Sequence, residues 1–248
     1  MIDYCKSFNK EAKLTGKCNE IQRCCNDFDG LNTPFFIDSD YRDFSDTPWL
    51  YYAMDHGQMI GFLSVYEIDR FNSEVCLFIL PTYRRKKIAT HLFSMMVMDF
   101  PSKSFQVSIS PLNDFGKSFL LKTGFVYCST ECSMQLMKSH FTPYDKPLSL
   151  IPQKQDSQIV VQAKIDETSV GSALLSVFGE TVCIHDVEIY EDFRGKGYGY
   201  QFIMTLLNHI FAKYDRVVLH VTKNNIPAYK LYQKAGFSCT ETLDYYEL

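Results

Sequence analysis

Several things are scarce in this chain. No apolar run approaches the ~20 residues that a membrane-spanning helix needs. The first residues, MIDYCKSFNKEAKL, lack the charged-then-apolar layout of a secretory signal. Neither sign of charge is in excess, since 25 Lys and Arg face 29 Asp and Glu for a net −4. That balance argues against a general binder of nucleic acid or of anionic membranes. Paired Cys-x₂-Cys spacing is missing as well. Nine cysteines, an odd number at irregular intervals, read as reduced thiols rather than a disulfide framework. Cys5, Cys18, Cys24 and Cys25 cluster without a neighbouring histidine, so no metal site is expected among them. These features together predict a cytoplasmic protein with no nucleic-acid or membrane partner; whether it is a monomer or a homodimer they leave open.

What is present is an ordinary globular composition, 46% hydrophobic over 248 residues, enough for two modest domains. The chain is written twice. In the second half, β-rich runs at Gln158 to Lys164, Ser169 to Phe178 and Val182 to Tyr190 are divided by tight polar turns, the pattern of an antiparallel meander. The first half repeats the order with Trp49 to Met54, Met59 to Tyr66 and Val75 to Leu80. A helical period follows each meander: Ile203, Leu206, Leu207, Ile210 and Phe211 in one copy, Ile88, Leu92, Met95 and Met96 in the other. Each helix leads to a strand, Val217 to Thr222 or Phe105 to Ser110. Two segments of equal length then align without a gap, VTKNNIPAYKLYQKAGF and ISPLNDFGKSFLLKTGF, pairing Asn225 with Asn113 and Gly236-Phe237 with Gly124-Phe125.

The expected organisation is two tandem α/β units. They are a first domain over 1–140, a proline-bearing linker over 141–157 and a second domain over 158–248. A helix is expected over Lys10 to Asp27, followed by a turn-rich stretch DGLNTPFFIDSD. The second copy has no counterpart of that N-terminal portion.

Between strand and helix the second copy carries FRGKGYG, with three glycines in five positions. Glycine costs about 1 kcal/mol relative to alanine inside a helix. At a helix mouth, however, it leaves backbone N–H groups bare and tolerates positive φ, which makes a seat for a phosphate beside Arg194 and Lys196. The first copy has Arg84, Arg85, Lys86 and Lys87 instead, with Lys87 in the place of Gly197 and Leu120 in the place of Tyr232. A lysine Cβ should intrude on the seat, and lysine resists positive φ. Alternatively, the four cations of the first copy hold an anion by charge alone.

Arg194-Gly195-Lys196-Gly197-Tyr198-Gly199 fits R/Q-x-x-G-x-G/A, and NNIPAYKLYQKAGF fits N-x-x-A-x-x-L-Y-x-x-x-G-F through Asn225, Ala228, Leu231, Tyr232, Gly236 and Phe237. On these motifs the chain resembles the GCN5-related N-acetyltransferases, the GNAT superfamily. The likeness is strong over Gln158 to Leu248 and weaker over about Pro48 to Leu136. It implies tandem α/β (α+β) units with a mixed, mostly antiparallel twisted sheet flanked by helices, the first copy degenerate. It also implies transfer of an acetyl group from acetyl-CoA to a primary amine, of a small molecule or a protein, by direct attack and with no metal. The family reading assigns Arg194, Gly195, Lys196, Gly197, Tyr198 and Gly199 to the pyrophosphate. It gives Val187, Glu188, Ile189 and Asn225 to the pantetheine arm and Tyr232 to the leaving thiolate. The family does not fix its base at one position; the strand VCIHDVEIY offers Glu188 first, directly or through water, with His185 and Asp186 following. Strand alternation would place His185, Val187 and Ile189 on one face and Asp186 with Glu188 on the other. The rival readings are a non-catalytic acyl-CoA sensor or scaffold, and an acyltransferase with another donor.

Overall fold

The computed structural model describes residues 1–31, 47–155 and 158–248; most of the turn-rich stretch expected after the first helix lies outside them. The chain forms two compact units. One comprises Met1–Cys128 together with Leu243–Leu248, the other Ser129–Thr242.

In the first unit the order is β1 (Ile2–Ser7), α1 (Ala12–Asp29), β2 (Leu50–Asp55), β3 (Gln58–Glu67), β4 (Asn72–Ile79), α2 (Ile88–Asp99), β5 (Ser104–Ile109) and α3 (Asp114–Lys122). Strands β1 to β4 pair antiparallel in sequence, and β4 meets β5 in parallel. In the second unit the order is the end of β6 (Val126–Met137), β7 (Ser149–Gln155), β8 (Gln158–Ile165), β9 (Thr168–Phe178), β10 (Thr181–Ile189), α4 (Tyr198–Phe211), β11 (Arg216–Thr222), α5 (Ile226–Lys234) and the start of β12 (Ser238–Glu247). The pairing rule repeats, with β7 to β10 antiparallel and β10 parallel to β11.

Two features of the expected domain layout come out differently. Residues 129–140 fall in the second unit, where β6 pairs antiparallel with β11 from Glu131↔Thr222 to Met137↔Arg216. The chain's last residues, Asp244 to Glu247, pair with β5 and so complete the first sheet. A linear repeat cannot reveal this, because strand pairing is set by hydrogen bonds between segments far apart in sequence. The expected linker, 141–157, also holds structure. Its residues 149–155 are β7, an edge strand on which Pro152 opposite Val161 is tolerated, since an edge leaves one row of N–H groups unpaired. Before it, the chain is tied along α4: Asn208 Nδ2 donates to Tyr144 O (2.8 Å), Gln201 Nε2 to Lys146 O (2.7 Å), and Leu148 N to Thr205 Oγ1 (3.1 Å).

The helical period of α4 buries Phe202, Ile203, Leu206, Leu207, Ile210 and Phe211 against Val182 and Ile184 of β10 and Val217, Leu219 and Val221 of β11. Full burial of each such side chain contributes about 1.5–3 kcal/mol relative to exposure. This packing fixes the N-terminus of α4 beside the end of β10. A second core in the first unit does the same for α2, through Ile88, Leu92 and Met96. The thiols expected to be reduced are joined in one case, Cys132 of β6 with Cys239 of β12, a pair 107 residues apart that only the folded chain brings together. No helix among the described residues is long and apolar enough to cross a membrane.

Candidate functional site

The central strands of the second unit part. β10 and β11 pair from Thr181↔Arg216 to Ile184↔Leu219, after which β10 stays with β9 up to Ile189↔Gly171 and β11 stays with β6 up to Thr222↔Glu131. Each strand therefore presents main-chain polar groups to a widening gap, where a ligand with amide groups can satisfy them. The first unit opens in the same way beyond Glu74↔Gln106.

A bulge reshapes the lip of the gap. The β9–β10 register shifts between His185 and Glu188, and Asp186 adopts φ 45°. His185 faces Leu174 and Glu188 faces Ser172, two residues apart on β9. His185 and Glu188 therefore share a face, contrary to the expected alternation, because one inserted residue reverses every position after it. Val187 and Ile189 pack instead against the helix-side core. The equivalent pair of the first unit has no such shift, β3 and β4 running in unbroken register from Gly61↔Ile79 to Glu67↔Ser73.

Beyond Ile189 the chain makes a short 3₁₀ turn, Glu191–Phe193, and Arg194 Nε donates back to Ile189 O at 2.7 Å. Gly195 and Gly197 follow with φ 74° and 86°, and no heavy atom stands within 4 Å of a Cβ built on either. The space over the loop is open where a diphosphate would lie, and Gly197 caps α4 without a side-chain bond. Gly199 serves packing, since a Cβ there would come 2.8 Å from Leu231 Cδ1. Lys196 Nζ stands 5.9 Å from the Phe193 ring centre.

The equivalent loop of the first unit follows the same backbone path. Arg84 Nε donates to Ile79 O (3.0 Å), and Arg85 and Lys87 take φ 66° and 64°. The expectation that lysine would avoid this conformation is not met. Packing of α2 imposes the path, at a strain of about 1–2 kcal/mol for each side-chain-bearing residue. Three of its four cations are engaged with protein groups: Arg84 binds Asp29 of α1 through both carboxylate oxygens (2.7 and 2.8 Å), Arg85 stands over the Phe115 ring (5.8 Å) and Lys86 over the Tyr83 ring (4.6 Å). On the opposite face of that sheet, Cys18, Ile21 and Cys25 of α1 pack with Phe78, Phe62 and Trp49. Burial pushes the Cys18 and Cys76 thiols up to about 12, so they behave as small apolar groups.

Other anticipated residues are placed as follows. Tyr232 lies in the helix-side core, 7% exposed and edge-on to Phe237, and burial pushes its phenol up to about 12. Asn225 caps α5, its Oδ1 accepting from Ala228 N (3.2 Å), and Asn113 caps α3 in the same manner from Gly116 N (2.9 Å). Glu188 is exposed, 3.6 Å from an Arg194 nitrogen, a separation and exposure at which an ion pair contributes little. His185 has its Nδ1 3.8 Å from Cys183 Sγ, while its Nε2 is sealed from solvent without a partner. Sequence reading passed over His220, which the register of β11 places on the same face as His185. The alternation of VVLHVT carried that signal, but only the pairing shows which face is which.

The profile of the acetyltransferase (GNAT) family matches residues 17–125 and again 129–237. The mycothiol acetyltransferase of Corynebacterium aurimucosum is 38% identical over 65 residues, 26% of this chain and 20% of that protein. The spermine/spermidine N(1)-acetyltransferase of Bacillus subtilis is 37% identical over 59 residues, 23% of this chain and 39% of that protein. These matches therefore span well under half of either curated relative. Among solved structures, a GCN5-related N-acetyltransferase from Sphaerobacter thermophilus superposes with a TM-score of 0.77 at 11% identity, over 100% of this chain and 95% of that one. A tandem GNAT protein from the clavulanic acid biosynthesis pathway does so with 0.65 at 11% identity, over 100% and 98%. At such identity these likenesses speak for the fold. With two profile matches that together take in most of its residues, the chain belongs to the GNAT acetyltransferase family and consists of two GNAT units in tandem.

Proposed function

We propose that the second unit is an N-acetyltransferase that moves the acetyl group of acetyl-CoA to a primary amine by direct attack. The observation that carries this reading is the uncovered loop, where Gly195 and Gly197 at positive φ leave open space at the mouth of α4, next to the gap between β10 and β11. The diphosphate sits on main-chain N–H groups of the loop from Arg194 to Gly199, with Lys196 supplying charge. The pantetheine arm enters the gap and pairs with main-chain groups of Val187 to Ile189. Asn225 gives its Nδ2 to the arm, its Oδ1 being used by the helix cap.

In the reaction the amine nitrogen bonds to the thioester carbon, the C–S bond breaks, and the electron pair leaves on sulfur. Tyr232 belongs to the helix-side core, from which its hydroxyl reaches the sulfur. A phenol near 12 is fully protonated at neutral pH. Complete transfer to a thiolate of ordinary basicity would run uphill by about 5 kcal/mol, so the hydroxyl acts by hydrogen-bonding the sulfur as its charge grows. Glu188, on the other face, takes the proton that the nitrogen sheds once it is bonded to carbon, directly or through water. His185 is second in line because its Nε2 is sealed. The acceptor is a cationic amine of a small molecule or a protein. Calorimetric titration with acetyl-CoA, followed by a thiol-release assay over a panel of amines, tests the reading. Binding without turnover on any amine would favour a sensor instead.

A further inference from the structure

An ammonium group loses two protons on its way to an amide, and the two differ greatly in acidity. The proton on nitrogen after it has bonded to carbon is acidic enough for a carboxylate. The first, on an ammonium of lysine-like basicity near 10, calls for a stronger base than an ordinary carboxylate near 4. The parting of β10 and β11 places such a group. Ile184 and Leu219 are the last paired residues, and the next on each strand are His185 and His220. Val217, Leu219 and Val221 are buried on the helix side, so His220 projects from the other face, which also carries His185 and Glu188. Of the two imidazoles, only that of His220 is exposed. Its Nδ1 lies 3.1 Å from Oγ of Ser133, its direct partner across the β6–β11 ladder. When Nδ1–H donates to that hydroxyl, Nε2 is left as the free base. Groups facing it are Ser133 and Glu131 from β6, His185 and Glu188 from β10, and Thr222 on its own strand.

We infer that His220 Nε2 takes the first proton from the acceptor ammonium, with Ser133 fixing its tautomer, and that Glu188 takes the second. The inference rests on the acetyltransferase reading above. It puts nucleophile activation on one face of the gap and thiolate stabilisation by Tyr232 on the other. The balance is closed: one proton goes to His220, one to Glu188, and the thiolate regains one from solvent.

The test uses the full chain with acetyl-CoA and three probe amines, namely spermidine, tyramine and a lysyl peptide. His220→Gln keeps a partner for Ser133 and removes the base. It should lower kcat/KM about 100-fold at pH 7, the lower end of what general-base catalysis supplies. The deficit should shrink to a few-fold by about pH 9.5, where solution itself deprotonates the amine. Binding of acetyl-CoA should be unchanged. Ser133→Ala should give a smaller loss with the same pH trend, and added imidazole should partly restore His220→Ala. A deficit of His220→Gln that stays constant with pH, or activity within threefold of wild type, overturns the inference while leaving the acetyltransferase reading intact. Wild-type protein that binds acetyl-CoA and acetylates none of the amines overturns both.

Discussion

Gly197→Ala adds one methyl group at the N-terminus of α4 and separates the two roles of that glycine. At φ 86° a Cβ costs about 1–2 kcal/mol in backbone strain. Beyond its immediate chain neighbours, no protein atom lies within 4 Å of the new methyl, so no clash is added. For a chain of this size that is a fall in Tm of roughly 2–8 °C. Folding survives, as Lys87 shows at φ 64° in the first unit. The ligand has no such freedom, because the methyl fills the space above the loop. Loss of two charge-assisted hydrogen bonds at about 1.5–3 kcal/mol each weakens acetyl-CoA binding by about 10²–10⁴-fold. Isothermal titration of the variant beside a thermal melt reads both quantities. A dissociation constant unchanged within threefold, with the Tm lowered as stated, would refute the assignment of the diphosphate to this loop.

Three further outcomes follow from the same geometry. Lys87→Gly relieves about 1–2 kcal/mol of strain and loses about 0.5–1 in chain entropy, so a melt should show a gain of up to about 1.5 kcal/mol. No acetyl-CoA binding should appear in the first unit, where Asp29 holds Arg84. Tyr232→Phe should leave acetyl-CoA affinity unchanged and lower kcat about 100-fold in the thiol-release assay. Its pH dependence has a definite sign. The phenol ionises near 10 when unfolded and near 12 when folded. It therefore contributes stability below pH 10 that is lost between 10 and 12, about 3 kcal/mol in all. The denaturation midpoint of wild type should fall relative to that of Tyr232→Phe across that window. Finally, a thiol titration of the unreduced, denatured chain should count seven of the nine cysteines, the remaining two being Cys132 and Cys239.

Local chemistry made much of this protein legible before any fold was known. Glycines at 195 and 197 mark positive φ because only their lack of a Cβ makes it cheap. Asn225 and Asn113 mark helix starts because a short amide can reach the N–H groups of a first turn. The duplicated order of runs and turns disclosed two units because burial patterns repeat with the elements that make them. Three things waited for the tertiary structure. One inserted residue at Asp186 moved Glu188 to the face of His185, and a bulge is set by pairing with β9, not by composition. The arginine–lysine loop of the first unit took the glycine path because core packing of α2 outweighed local preference. His220 became visible once the register of β6, β11 and β10 showed which side chains meet at the parting of the strands. Those decisions belong to contacts between residues distant in sequence, and no window along the chain contains both partners.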